Sequence, residues 1–264
     1  MVILVYHYFS TAETNWLTCS VTDLGRHLSY LRDFCHVVPL LEGLEKIERG
    51  EKLPQRTVAL TVDDTDSSFY DLAWPVFRKY GIPICCNVIT GLLGQKLSMG
   101  RECIQVIGPR EIEKLIVTGL VVLGSHSATH AKLNTLDSEQ LAKELVDSKR
   151  AIEAIQGHCK VFCYPYGNTS VITADSERLL LETGYRYALT TCSGVVSRGT
   201  DRLRIGRTNI AGLATIWHFP FFCNGVVSRL IRLKKRALGE RWYRPVPPGG
   251  KIGFEDPSSA NVKH

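Results

Sequence analysis

Six short runs of this chain are apolar at consecutive positions instead of alternate ones: "VILVY" (2–6), "TVALTV" (57–62), "ICCNVI" (84–89), "LVVLGSH" (120–126), "KVFC" (160–163) and "YALTT" (187–191). A strand with one wet face alternates, whereas a strand covered on both faces does not. The segments between the runs carry helical spacing. Leu24, Leu28 and Leu31 recur at three and four, with Thr22 or Asp23 as the expected N-cap. Residues 69–80 predict a helix ending before "GIP". "GPREIEKLIVTG" has Pro109 in its first turn and Gly119 past its end, and "DSEQLAKELVDSKRAIEAIQG" runs from a capping Asp137 to a stopping Gly157. Strand–helix alternation with doubly covered strands implies an α/β fold, a parallel sheet sheathed by helices. About six or seven such units in some 215 residues would suit a barrel. Residues 1–220 read as one domain and 221–264 as a basic amphipathic C-terminal extension.

Charge sharpens that division. The net +6 arises entirely beyond residue 222: residues 223–264 hold nine Lys/Arg against three Asp/Glu, and the rest balances at 23 and 23. A uniformly basic nucleic-acid binder is therefore not expected. No stretch reaches the length of a spanning helix. "MVILVYHYFS" lacks a basic n-region and reads as a first strand, so a cytoplasmic location is expected. The nine cysteines show no CxxC pairing and read as reduced thiols.

Three polar clusters stand directly after apolar runs: Asp63-Asp64, "SHSATH" (125–130) and "YPYG" (164–167). Ligands of parallel α/β folds gather beyond the carboxyl ends of strands, so the three clusters are expected on one face. The spacing of four between His126 and His130 is expected to put both imidazoles on one side of a helical turn. A carboxylate from another strand would complete a His₂Asp metal set with room for water. The pair is not HExxH, because Ser127 stands where that motif has its base. One aspartate can hold a cation while its neighbour accepts a proton, and the cation eases the cost of two adjacent negative charges.

The order of "LTVDDTDSSFYDLAWPVFRKYGIP", "GLVVLGSHSATHAKL", "LAKELVDSKRAIEAI" and "FCYPYG" resembles the polysaccharide deacetylases, the NodB-like carbohydrate esterase family 4, over roughly residues 2–210. That resemblance implies a distorted barrel of about seven parallel strands and removal of N-acetyl groups from sugars with a divalent metal. By position it implies Asp63 as base, Asp64, His126 and His130 as metal ligands, and the Tyr166 backbone N–H as oxyanion donor. Pro165 and Arg207 are expected to bind substrate or orient the base. The opening "VYHYFS" resembles the branch that includes the poly-N-acetylglucosamine deacetylases, which implies His7 as the acid; His218 is its rival. The pattern is broken twice. Val62 and Thr65 flank the Asp pair where Phe and Gly are usual, and Cys163 replaces an orienting Arg, with Arg207 the candidate substitute. Zinc suits the ligand set best, with Co, Ni, Mn or Fe chemically possible.

"VVSRLIRLKKRALGERWYR" (226–244) places Val226, Leu230, Leu233 and Ala237 on one helical face beside seven basic residues. It suits an anionic membrane surface and a peripheral position at its inner face; packing on the barrel is the other reading. The expected partner in chemistry is an N-acetylated sugar in a glycan, glycolipid or sugar precursor. A non-catalytic glycan-binding or scaffold protein of the same fold is the alternative, and an amide or ester hydrolase with a non-sugar substrate is a third reading.

Overall fold

The computed structural model describes residues 1–12, 15–99, 102–210 and 217–238. In chain order the elements are β1 (Val2–Tyr6), β2 (Tyr8–Ser10), β3 (Thr18–Ser20), α1 (Val21–Phe34), β4 (His36–Val37), α2 (Leu40–Glu48) and β5 (Thr57–Val62). Next come α3 (Trp74–Tyr80), β6 (Ile84–Val88), β7 (Lys96–Met99), β8 (Glu102–Gln105), α4 (Pro109–Ile116), β9 (Val121–Ser125) and α5 (Ser138–Gln156). The last are β10 (Val161–Cys163), α6 (Ala174–Thr183), β11 (Tyr187–Leu189), β12 (Thr208–Asn209), α7 (Phe219–Cys223) and α8 (Val226–Leu238).

Seven strands form one parallel path in the order β11-β10-β9-β6-β5-β1-β12, with β4 paired to the start of β5. The edges are bridged by residues 202–210: Ile205 exchanges hydrogen bonds with Ala188 and Thr190 beside β11, and Thr208 and Asn209 pair with β1. The result is the parallel sheet expected from the doubly covered strands, curved into the distorted barrel that the family resemblance implies. Successive side chains of a strand point to opposite faces, and here both faces are cores. Val2, Leu4, Val58, Leu60, Val62, Cys86, Leu123 and Phe162 pack outward against the helices, while Ile3, Ala59, Cys85, Val161, Tyr187 and Leu189 fill the interior.

That parity positions the chemistry. Continuing the inward positions up each strand gives Thr61 then Asp63, Asn87 above Cys85, and Cys163 above Val161. Gly124 belongs to the same set: a Cβ there would stand 2.2 Å from the Asn87 Oδ1, so only glycine leaves Asn87 its place. Beyond Gly124 comes His126.

Some local expectations need correction. The N-cap of α1 is Ser20, whose hydroxyl accepts from the Asp23 N–H. The helix expected over 69–80 opens with a π-helical turn, Phe69–Ala73, because Pro75 lacks the N–H a regular turn would use. The stretch 91–108 holds the antiparallel β7–β8 pair. Phe219 of α7 is buried against His27 of α1, rings stacked at 4.0 Å. Residues 239–244 of the basic segment lie outside the described residues. All nine cysteines are free thiols.

Candidate active site

Asp63 follows β5 at the carboxyl end of the barrel and is buried. A lone carboxylate there would be expelled or protonated; this one is clamped. Arg207, fully buried, donates from both terminal nitrogens to the two carboxylate oxygens at 2.7 Å each. Asn87 Nδ2 donates at 2.8 Å and the Cys163 thiol approaches both oxygens at 3.5 Å. Burial alone would raise the Asp63 pKa; the Arg207 charge and hydrogen bonds outweigh it and hold the group well below the usual carboxylate range. Arg207 is itself fixed by the Thr190 carbonyl at 3.0 Å, the Thr61 hydroxyl at 3.0 Å and the Cys163 sulfur at 3.0 Å. Arg207 therefore supplies the positive charge beside Asp63. Pro165 is buried in the turn after β10, and without an N–H it donates nothing to Asp63.

Asp64 turns the chain the other way, at φ 59°, which separates the two neighbouring carboxylates. Its Oδ1 lies 3.5 Å from His126 Nε2 and 3.4 Å from His130 Nε2. Its Oδ2 accepts from the Tyr8 hydroxyl at 2.6 Å. His126 Nδ1 lies 2.9 Å from the Cys163 carbonyl; a carbonyl only accepts, so Nδ1 carries the proton and Nε2 presents a lone pair. Burial pushes His130 down to about 4, so its imidazole is neutral near pH 7.

Three acceptors thus converge, and Asp64 Oδ1 is buried without a hydrogen-bond partner among the described residues. This is the donor set of a small divalent cation. Tetrahedral ligands at about 2.0–2.1 Å from an ion stand roughly 3.3–3.4 Å apart, close to the spacing found. A second trio within 4.8 Å, Asp63, His126 and Cys163, fits less well. Asp63 is neutralised by Arg207, burial pushes the Cys163 thiol well up, and His126 faces it with a protonated nitrogen.

His126 and His130 do not share a helical turn, contrary to expectation. Ser127 and His130 are left-handed, at φ 63° and 62°, and fold the segment back on itself. Glu144 of α5 pins the loop by accepting from the Ala128 and Thr129 N–H groups at 2.9 Å each and from the Thr129 hydroxyl at 2.7 Å. Ser127 Oγ accepts from the His130 N–H at 2.9 Å. Five of the six non-glycine residues at positive φ among the described residues are Asp64, Thr65, Ser127, His130 and Tyr166. Such backbone costs roughly 1–3 kcal/mol per residue and gathers where function demands a particular aim.

Tyr166, at φ 62° in the turn after β10, is half exposed, with its ring 4.9 Å from that of His130 and under Lys132 Nζ at 5.2 Å. Among the described residues none accepts from its backbone N–H. His7 Nε2 lies 3.8 Å from Asp63 Oδ2, and its Nδ1 is buried without a partner among the described residues. Burial lowers the His7 pKa, against the pull of Asp63 and Asp64. His218 is exposed at the start of α7. Tyr8, Asn87 and Glu144 went unread in the sequence; only Asn87, an amide inside the apolar run 84–89, left a signal there.

A family model described as polysaccharide deacetylase matches residues 50–188, just over half of the chain. The chain belongs to the polysaccharide deacetylase family. Among curated members of that family, it is 29% identical over 177 residues to the poly-beta-1,6-N-acetyl-D-glucosamine N-deacetylase of Staphylococcus epidermidis, covering 64% of this chain and 59% of that protein. Solved structures of similar fold include the Streptococcus pyogenes deacetylase PplD in complex with acetate, at TM-score 0.73 and 21% identity over 84% of this chain and 97% of that one. IcaB from Ammonifex degensii aligns equally well, at TM-score 0.73 and 23% identity over 84% and 96%. Polysaccharide deacetylase membership gives the barrel and its clustered acids and imidazoles a common explanation.

Proposed function

We propose that this deacetylase hydrolyses the N-acetyl group of an N-acetylhexosamine unit in a glycan, glycolipid or sugar precursor, releasing acetate and a free amine. The observation that carries the reading is the convergence of Asp64, His126 and His130 on one point beside a clamped Asp63. The name of the staphylococcal relative supports a β-linked N-acetylglucosamine polymer as the first substrate to try.

In this reading Asp64 Oδ1 and the two Nε2 atoms hold one divalent cation, with zinc first among candidates because the donors are spaced for a tetrahedron. When bound, that ion supplies a Lewis acid for the acetyl carbonyl and raises the acidity of an attacking water, so a carboxylate of low basicity suffices. Asp63 takes the water's proton. Arg207 keeps Asp63 ionised and fixes the direction of its lone pairs. The Tyr166 N–H, held outward by its left-handed backbone, donates to the developing oxyanion. His7, 3.8 Å from Asp63, receives a proton in turnover and delivers it to the departing nitrogen. The nine free thiols fit a reducing, cytoplasmic setting, which we infer for the protein.

Acetate release from N-acetylglucosamine oligomers, with chelator and with added zinc, tests this. Chelator-sensitive release that Asp63→Asn abolishes, while the variant still binds one equivalent of metal, is the expected result. Activity surviving in Asp63→Asn would remove the base assignment. Metal binding with no release from any acetylated sugar would favour the non-catalytic glycan-binding alternative.

A further inference from the structure

Helix α8 turns its apolar stripe away from the protein. Ser228 is fully buried, its Oγ 2.9 Å from the Thr208 Oγ on β12. Gly225, one residue before the helix, is seated so closely that a Cβ would stand 2.6 Å from Val195 Cγ2. The inner side of the helix start is therefore centred on small residues, with Val227 and Ile231 half-buried to one side of Ser228. At 100° per residue, Leu230 and Leu233 lie roughly 200° and 140° around from Ser228, on the outer side. They are 54% and 60% exposed. Arg229 and Lys234, also exposed, lie roughly 100° and 240° around and flank the stripe on both sides. Just before the helix, Trp217 is 83% and Phe221 51% exposed. A helix that packed on the barrel by hydrophobic burial would point its leucines inward.

We propose that the outer face of α8 lies on an anionic lipid surface, leucines in the acyl boundary and cations among the headgroups. Charge decides between this and a protein partner of the same kind. From Val226 to Gly239 the sequence holds no acidic residue, so two copies meeting through this face would set cations against cations. Anionic headgroups complement both rows, and exposed aromatics suit the interfacial layer. No described helix is long and apolar enough to cross a membrane, which leaves the surface mode. The proposal is independent of the catalytic reading.

Co-sedimentation of the full chain with vesicles of phosphatidylcholine, and with vesicles containing about one-third phosphatidylserine, tests it. The chain is expected to pellet with the anionic vesicles and stay in solution with the neutral ones. The Leu230→Ser/Leu233→Ser double variant should lower partitioning at least roughly tenfold. Arg229→Glu/Lys234→Glu should abolish it through charge alone, giving a second variant should either fold poorly. Undiminished partitioning in both variants, equal pelleting with neutral vesicles, or no pelleting at all would overturn the proposal. So would an ultracentrifugation profile showing a wild-type dimer that Leu230→Ser/Leu233→Ser dissolves, since that assigns the face to a second copy.

Discussion

Replacing either member of the Asp63–Arg207 pair should cost more than replacing both. The pair is buried completely on the arginine side, and its two 2.7 Å bonds are charge-assisted on both ends. Arg207→Met leaves a carboxylate inside the barrel with Asn87, a thiol and, at 3.8 Å, the His7 imidazole for company. Asp63→Leu leaves a guanidinium with a carbonyl, a hydroxyl and a sulfur. Breaking a buried pair in this way costs about 3–5 kcal/mol, and for a chain of this size each kcal/mol lowers Tm by roughly 2–4 °C. Each single variant should therefore melt about 6–20 °C below wild type. The double variant removes both stranded charges and should recover on the order of 3 kcal/mol relative to the sum of the singles. Urea and thermal unfolding of all four proteins, in chelator so that metal adds nothing, measures the coupling. Additivity within about 0.5 kcal/mol would refute the clamp as an energetic unit. The acid limb gives an independent reading. Asp63 has a lower pKa folded than unfolded, so its contribution is complete above about pH 3.9 and is lost as pH falls toward the folded value. Asp63→Leu should lose that part of the acid dependence, and wild type should not.

Two further substitutions probe residues that shape the cation site without donating to it. Tyr8→Phe deletes the 2.6 Å bond to Asp64 Oδ2 and frees the carboxylate to rotate; metal affinity by chelator competition should fall about 10–100-fold with little change in Tm, and unchanged affinity would reduce Tyr8 to packing. Glu144→Gln offers one acceptor oxygen where the carboxylate satisfies three donors, so the 126–130 amides should exchange roughly 5–30-fold faster, and metal affinity should weaken alongside; protection equal to wild type would mean the loop holds its own shape.

The barrel was legible because its strands are short, continuous and apolar, and period two then decides which side chains face inward. Asp63, His126 and Cys163 reach the same interior by that parity alone, and the run "TVALTVDD" contains the whole argument for β5. The other half of the site was not legible in that way. Asp64, His130 and Tyr166 are aimed by left-handed backbone, which no periodic pattern encodes. The spacing of His126 and His130 was read as a helical turn because four residues suit one; the actual loop depends on Glu144, sixteen residues from Ala128, and nothing local announces that contact. Tyr8 was invisible for a related reason. Its partner Asp64 is fifty-six residues away, and the β1–β5 pairing that joins them appears only once the sheet is assembled.

The two departures from the family pattern are answered by the same assembled sheet. Cys163 stands on β10 beside Asp63, and Arg207 brings its charge from the strand segment that bridges β11 to β1, forty-four residues later in sequence yet 3.0 Å from the Cys163 sulfur. A thiol is small enough to leave room for the guanidinium, and its S–H points at the carboxylate that the guanidinium holds. Thr65 occupies a glycine-like conformation at φ 45°, costly for a β-branched residue. Its hydroxyl donates to the Asn87 carbonyl at 3.0 Å, and its own carbonyl accepts from Ile107 at 3.2 Å. Those bonds tie the turn carrying Asp64 to the end of β6, and so to Asn87, which holds Asp63. Glycine would relieve the strain and give up the hydroxyl tie. Each substitution therefore keeps the arrangement of charges while changing which part of the chain enforces it, which is why a residue-by-residue match undervalues this site and the barrel as a whole does not.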